Sequence, residues 1–262
     1  MNNAAPDIAG KVYIVTGASR GVGLSVCKAL QARGARIALL ARTLEEIQAH
    51  AAAIGEQAFA VRCDVGSRDD CFAAVAAVVG HFGGVDGLVN NAGVAMIAPV
   101  ENIPEDDLVK MFRINVFGAM FMVQAVLPEL RKRGGGHILN VSSVSVRDPS
   151  EFPFTGGYTC SKAALERLTQ ELRAEVSADN IAVTLFSLGS TLTYFGVGWD
   201  PEVTAAAFAE WIARGGLAPQ TMDPSIPAEQ IVRCFEMPPS ACFDFVQFRP
   251  YATMEKERQM AG

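Results

Sequence analysis

The six cysteines, Cys27, Cys63, Cys71, Cys160, Cys234 and Cys242, fall at no CxxC or other paired spacing. That absence argues against a zinc site and a disulfide framework and suits a reducing compartment, so no metal is expected. Basic tracts are missing too. With a net charge of -6 and no run longer than Arg131-Lys132-Arg133, the chain carries no footprint for nucleic acid. The short run is expected at a helix C-terminus, where cations complement the helix dipole. Met1 to Gly10 lacks the basic-then-apolar pattern of a leader, and no apolar run is read as membrane-spanning. A cytoplasmic protein with no membrane partner is therefore expected. Internal repeats, low-complexity tracts and interdomain linkers are likewise absent.

What is present is a chain that is 50% hydrophobic and 19% charged, a balance that folds on its own core. Its 262 residues fit one α/β domain spanning residues 1–262. Short β-rich runs at 12–16, 36–40, 58–63, 87–90, 137–141, 181–186 and 243–248 alternate with helical stretches at 22–33, 43–54, 68–81, 105–133, 157–177 and 228–234. That alternation predicts a doubly wound, Rossmann-type, seven-stranded parallel sheet with helices on both faces. The irregular stretch 189–227 holds both tryptophans, Trp199 and Trp211. It is read as a substrate-covering segment with a small helix near 201–214, because long loops in compact domains are usually functional.

The segment Thr16-Gly17-Ala18-Ser19-Arg20-Gly21-Val22-Gly23 follows the first strand and opens a helix. Glycines there permit positive φ and close approach of a phosphate, while free N–H groups and the helix dipole favour its charge. The second strand ends in Leu40-Ala41-Arg42-Thr43, with no acid to bind a ribose 2′-hydroxyl. Arg42 and Arg20 instead offer charge-assisted hydrogen bonds to a 2′-phosphate, which predicts NADP(H); as ordinary surface charges they would do neither. Asp64, followed by Val65, ends the third strand and reads either as an acceptor for an adenine amino group or as a helix N-cap.

Tyr158 and Lys162 are four residues apart on one helix face, so the ammonium is expected to lie near the phenol and to pull its pKa toward neutrality. Together with the TGxxxGxG turn, Asp64-Val65, Asn90-Asn91-Ala92-Gly93, Asn115 and Ser142-Ser143, this pair resembles the short-chain dehydrogenase/reductase family over nearly the whole chain. The resemblance implies hydride transfer between a nicotinamide and a carbonyl or alcohol. Tyr158 would be the acid/base, Ser143 would hold the substrate oxygen, and Asn115 would hold a water in a relay to Lys162. Ser145 is the rival to Ser143. The resemblance also implies cofactor contacts from Asn91, Ala92 and Gly93, from Tyr158 and Lys162, and from Gly189, Thr191 and Thr193, although Leu188 replaces the family's proline.

The pocket-lining segments 94–98, 144–154 and 188–222 are mostly apolar, which predicts an uncharged, partly apolar ketone, aldehyde or secondary alcohol. Arg147, Asp148 and Glu151 read as solvated loop charges or as contacts to a polar substrate. Apolar residues around 105–133, together with 157–177, predict a homodimer or homotetramer. Other readings of the same residues are an inactive nucleotide-sensing scaffold, or an imine reductase, epimerase or dehydratase.

Overall fold

The structure is a computed structural model that describes residues 7–147, 152–193, 196–214, 221–238 and 241–250. Seven parallel strands form one sheet in the order β3-β2-β1-β4-β5-β6-β7. They are β1 (Val12–Thr16), β2 (Arg36–Ala41), β3 (Ala58–Arg62), β4 (Gly87–Asn90), β5 (Gly136–Ser143), β6 (Ile181–Leu188) and β7 (Phe245–Phe248). The helices between them are α1 (Gly21–Gln31), α2 (Leu44–Ile54), α3 (Arg68–Phe82), α4 (Glu105–Phe112), α5 (Ala119–Lys132), α6 (Gly156–Val176), α7 (Pro201–Ala213) and α8 (Ser225–Phe235).

Strand alternation builds the two halves of the core. Tyr13 and Val15 face α1, α2 and α8, whereas Val12 and Ile14 face α3 and α5. Because both faces are covered, the strands read as nearly continuous apolar runs. Fully buried side chains such as Ile14, Leu39 and Ile138 each contribute about 1.5–3 kcal/mol by leaving water. The order in which strands are added to the sheet reverses between β1 and β4, so the crevice outside their carboxyl ends is the place where this topology binds ligands.

Three expectations need correction. First, the predicted helix 105–133 is divided by a π-helical turn over Arg113–Gly118. Gly118 there passes so close to Val65 that an added Cβ would lie 3.0 Å from it, which fits a local rewinding of the helix rather than a uniform α-helix. Second, Glu105–Lys132 is in fact long and apolar enough, by length and composition, to cross a membrane. In the fold its residues Met111, Val116, Met122, Val126 and Leu130 are buried in the interior. Third, β7 begins at Phe245, two residues later than expected, since Phe243 and Asp244 supply carbonyls to Thr184 and Leu185 ahead of the ladder.

The basic run does end α5, but its charges are engaged. Arg131 pairs with Asp179 at 2.7 Å, Lys132 with Glu129 at 2.7 Å, and Arg133 lies 3.7 Å from Asp86.

Candidate active site

A cleft of about 590 Å³ opens at the carboxyl ends of the strands. One end is the glycine turn. Gly17 and Gly21 have φ of +65° and +58°, values that glycine adopts without a Cβ penalty. Gly17 also lets the chain pass Ala92, whose Cα would lie 2.9 Å from an added Cβ. Helix α1 starts here with no side-chain cap and no acid in its first turn, so its leading N–H groups and dipole face the cleft as an anion cradle. Asn91 fixes the turn from behind: its Nδ2 donates to the carbonyls of Thr16 at 3.0 Å and Gly17 at 3.3 Å. His50 sits 2.9 Å from the Ser19 carbonyl. These features fit a dinucleotide diphosphate.

Of the predicted site residues, only Gly23 and Asn115 do not face the cleft. Gly23 is a packing glycine, since a Cβ would meet the Gly17 carbonyl oxygen at 2.3 Å and Asn91 Nδ2 at 2.6 Å. Arg42 is exposed at the end of β2, where Glu46 of α2 also lines the cleft. The N-cap reading of Asp64 is overturned. Ser67 caps α3, accepting from the Asp70 N–H at 3.3 Å, while Asp64 accepts from the Gly66 N–H at 2.9 Å.

The reaction end is carried by β5 and α6. Tyr158 and Ser143 share a hydrogen bond. Ser145 Oγ donates to Ser143 Oγ at 3.0 Å, and Thr159 Oγ1 donates to Ser145 at 3.1 Å, so the proton of Ser143 is left for Tyr158 and the cleft. Ser145 is thus the hydroxyl behind Ser143, and of the two serines it is Ser143 that interacts with the tyrosine. Burial pushes the Tyr158 phenol up to about 12, with the Ser143 hydrogen bond opposing. The expected lowering by Lys162 is not met by the chain's own groups. The Lys162 ammonium donates to the Val141 carbonyl at 2.8 Å, and desolvation brings its pKa down to about 8, with Glu166 opposing.

Asn115 sits in the π-helical turn, 1% exposed. Its Oδ1 accepts from the Val94 N–H at 2.8 Å, and its Nδ2 donates to the Val94 carbonyl at 2.8 Å and to Ser161 Oγ at 2.9 Å. It therefore ties the segment after β4 to α6, one residue before Lys162. Gly93 lies between them: a Cβ there would be 3.3 Å from both Asn115 Oδ1 and Lys162 Nζ.

Sequence reasoning missed Glu166, which is buried one further turn along α6. It accepts from Ser142 Oγ at 2.7 Å and from Arg147 at 2.8 Å. The spacing Tyr158, Lys162, Glu166 at every fourth residue was the available signal. Arg147 is thus an exposed charge, as the solvated reading has it, but one paired with a buried carboxylate; it does not line the cleft, and its guanidinium also stacks 4.0 Å over the Phe245 ring of β7. Asp148 and Glu151 lie outside the described residues. Among the described residues no group of His, Cys, Asp or Glu could hold a metal.

Known proteins resemble this chain in sequence and fold. The family model described as short chain dehydrogenase matches residues 11–202. Galactitol 2-dehydrogenase of Agrobacterium fabrum is 37% identical over 202 residues, covering 77% of this chain and 76% of that protein. Dehydrogenase/reductase SDR family member 4 of Oryctolagus cuniculus is 34% identical, covering 74% and 76%. Among solved structures, 3-ketoacyl-(acyl-carrier-protein) reductase from Brucella melitensis complexed with NADH superposes with a TM-score of 0.81 at 25% identity, covering 92% of this chain and 98% of that one. The alcohol dehydrogenase of Thermococcus sibiricus complexed with 5-hydroxy-NADP does so at 0.79 and 25%, covering 93% and 97%. With the sheet order, the glycine cradle and the Ser143, Tyr158 and Lys162 cluster in place, the chain belongs to the short-chain dehydrogenase/reductase family of oxidoreductases.

Proposed function

We propose that the protein is an NADP(H)-dependent oxidoreductase that interconverts a ketone or aldehyde and the corresponding alcohol. The observation that carries this reading is the buried Tyr158 hydroxyl, hydrogen-bonded to Ser143 and facing the same cleft as the dinucleotide cradle. When bound, the nicotinamide cofactor supplies or accepts a hydride at the substrate carbon. In the reductive direction Tyr158, kept neutral by burial, gives its proton to the carbonyl oxygen, and Ser143 holds that oxygen by hydrogen bonding. Lys162, charged below about pH 8, stands one helical turn away with its ammonium held on the Val141 carbonyl. Arg42 supports the choice of NADP(H), because it is exposed at the end of β2 and has no ion-pair partner among the described residues. The same reading places the protein in the cytoplasm as a homo-oligomer through α5 and α6, consistent with exposed Phe117 beside α5 and Leu168 on α6; a clean monomer in light scattering would remove that part.

The test is an NADPH-oxidation screen over ketones, aldehydes and keto esters, repeated with NADH. Tyr158→Phe should lower turnover about a hundredfold or more, since general acid catalysis contributes about 10² to 10⁴, and retained activity overturns the mechanism. Arg42→Asp should move the NADPH/NADH preference about tenfold or more toward NADH, the size of one charge-assisted hydrogen bond. An unchanged ratio refutes the 2′-phosphate argument.

A further inference from the structure

The two ends of the cleft differ in kind. The charged residues that line it are Arg20, Arg42, Glu46 and Asp64 near the glycine turn and Lys162 beneath Tyr158. Beyond Tyr158 the described lining turns neutral, and its large members are Phe152, Trp199, Phe208 and Trp211. These rings form one cluster. Trp211 meets Phe152 edge-on at 6.1 Å and 70°, Trp199 at 6.2 Å and 79°, and Phe208 at 5.1 Å and 40°.

Both indole N–H groups are turned to the protein. Trp199 Nε1 donates to the Ala95 carbonyl and Trp211 Nε1 to the Pro153 carbonyl, at 2.8 Å and 2.7 Å. These bonds fix the orientation of the two indoles and leave apolar ring surface toward the cleft. The backbone is constrained to the same end. Phe154 holds φ of +70°, a left-handed conformation that costs a non-glycine residue energy and that clusters at ligand-contacting segments, and its carbonyl accepts from the Ala98 N–H at 2.9 Å. Phe208 nonetheless remains 40% exposed, an aromatic face on the cleft wall that the fold itself leaves uncovered.

We infer that this compartment takes an aromatic ring: the preferred substrates are aryl ketones or aldehydes and the matching aryl carbinols, the aryl group packing edge-to-face and offset against Phe208 and the two tryptophans. The inference rests on the redox reading above for the reacting group, but on the aromatic wall for the rest of the molecule. An aliphatic ring of equal bulk fills the same volume and gains desolvation alone. A planar ring adds the quadrupole contacts that edge-to-face and offset pairs provide.

The chain holds two tryptophans, and both line this compartment, so tryptophan emission reports on its occupancy without turnover. The experiment titrates the full chain, with saturating NADPH, using 1-phenylethanol and 1-cyclohexylethanol, a combination that cannot react. The aryl alcohol should quench with a dissociation constant about tenfold or more below that of the cyclohexyl compound, the size of two such ring contacts. Phe208→Leu, a change at a part-exposed position that keeps both tryptophans, should reduce that preference at least about threefold. Equal affinities for the two alcohols, or a preference untouched by Phe208→Leu in a folded protein, overturn the inference. Aryl preference without reduction of any carbonyl supports it while refuting the redox reading. Reduction of acetophenone and cyclohexyl methyl ketone with equal KM sinks it while leaving that reading intact.

Discussion

Removing the Lys162 ammonium should make the protein more stable at neutral pH while disabling it. Lys162 is 4% exposed, and burial brings its pKa from 10.5 to about 8. That difference corresponds to about 3 kcal/mol held against the charged form in the folded state. Between those two pH values the unfolded chain keeps the proton that the folded chain has lost, so wild-type stability rises with pH across that window; below it, the full cost is carried. Lys162→Met removes the buried charge. It also removes the hydrogen bond to the Val141 carbonyl, worth about 1 kcal/mol. Glu166 keeps Ser142 and Arg147 as partners, so no orphan carboxylate is created.

The net expectation at pH 7 is a gain of about 2 kcal/mol, or roughly 4–8 °C in Tm for a chain of this size. At pH 10 the gain should vanish, because the wild-type lysine is then neutral in the fold. Paired thermal melts of wild type and variant at the two pH values isolate the effect, since titrating groups that do not interact with Lys162 cancel in the difference. A variant less stable at pH 7, or a difference that does not change with pH, would refute the reasoning.

Two further outcomes follow from packing and charge. Arg147→Ala leaves the buried Glu166 carboxylate without its guanidinium partner and should cost about 3 kcal/mol in denaturant unfolding, while the double variant Arg147→Ala with Glu166→Gln recovers part of that loss; equal losses would show that the ion pair is not the cause. Gly23→Ala drives a methyl into the Gly17 carbonyl and should destabilise by about 1–3 kcal/mol and weaken NADPH binding in calorimetry, whereas wild-type affinity would show that the turn tolerates the side chain.

The sheet and the reaction end were legible because they depend on local pattern. Strand alternation, the glycine turn and the spacing of Tyr158 and Lys162 are each written within a few consecutive residues, and they fold where they were read. The π-helical turn at Arg113–Gly118 left no trace, since i to i+5 hydrogen bonding does not alter hydrophobic periodicity enough to see. The ion pair between Arg147 and Glu166 escaped for another reason. Their pairing joins the loop after β5 to the middle of α6, and no sequence spacing encodes a contact between separate elements. Asn115 was placed in the site by family resemblance; its clamp on Val94 and Ser161 became visible only with coordinates. The direction of the Tyr158 shift was missed because charge was weighed and desolvation was not.

The asymmetry of the cleft also bears on how a nucleotide arrives. The chain as a whole carries -6 and repels a polyanion at long range, whereas the glycine-turn end of the cleft sets Arg20 and Arg42 against Glu46 and Asp64 and is locally balanced. At physiological ionic strength fields decay over about 8 Å, so dissolved salt silences the distant acidic surface before it reaches the two guanidinium groups. Electrolyte therefore acts here as a filter, suppressing the far repulsion and sparing the short-range hydrogen bonds that the two guanidinium groups and the leading N–H groups of α1 offer an anion.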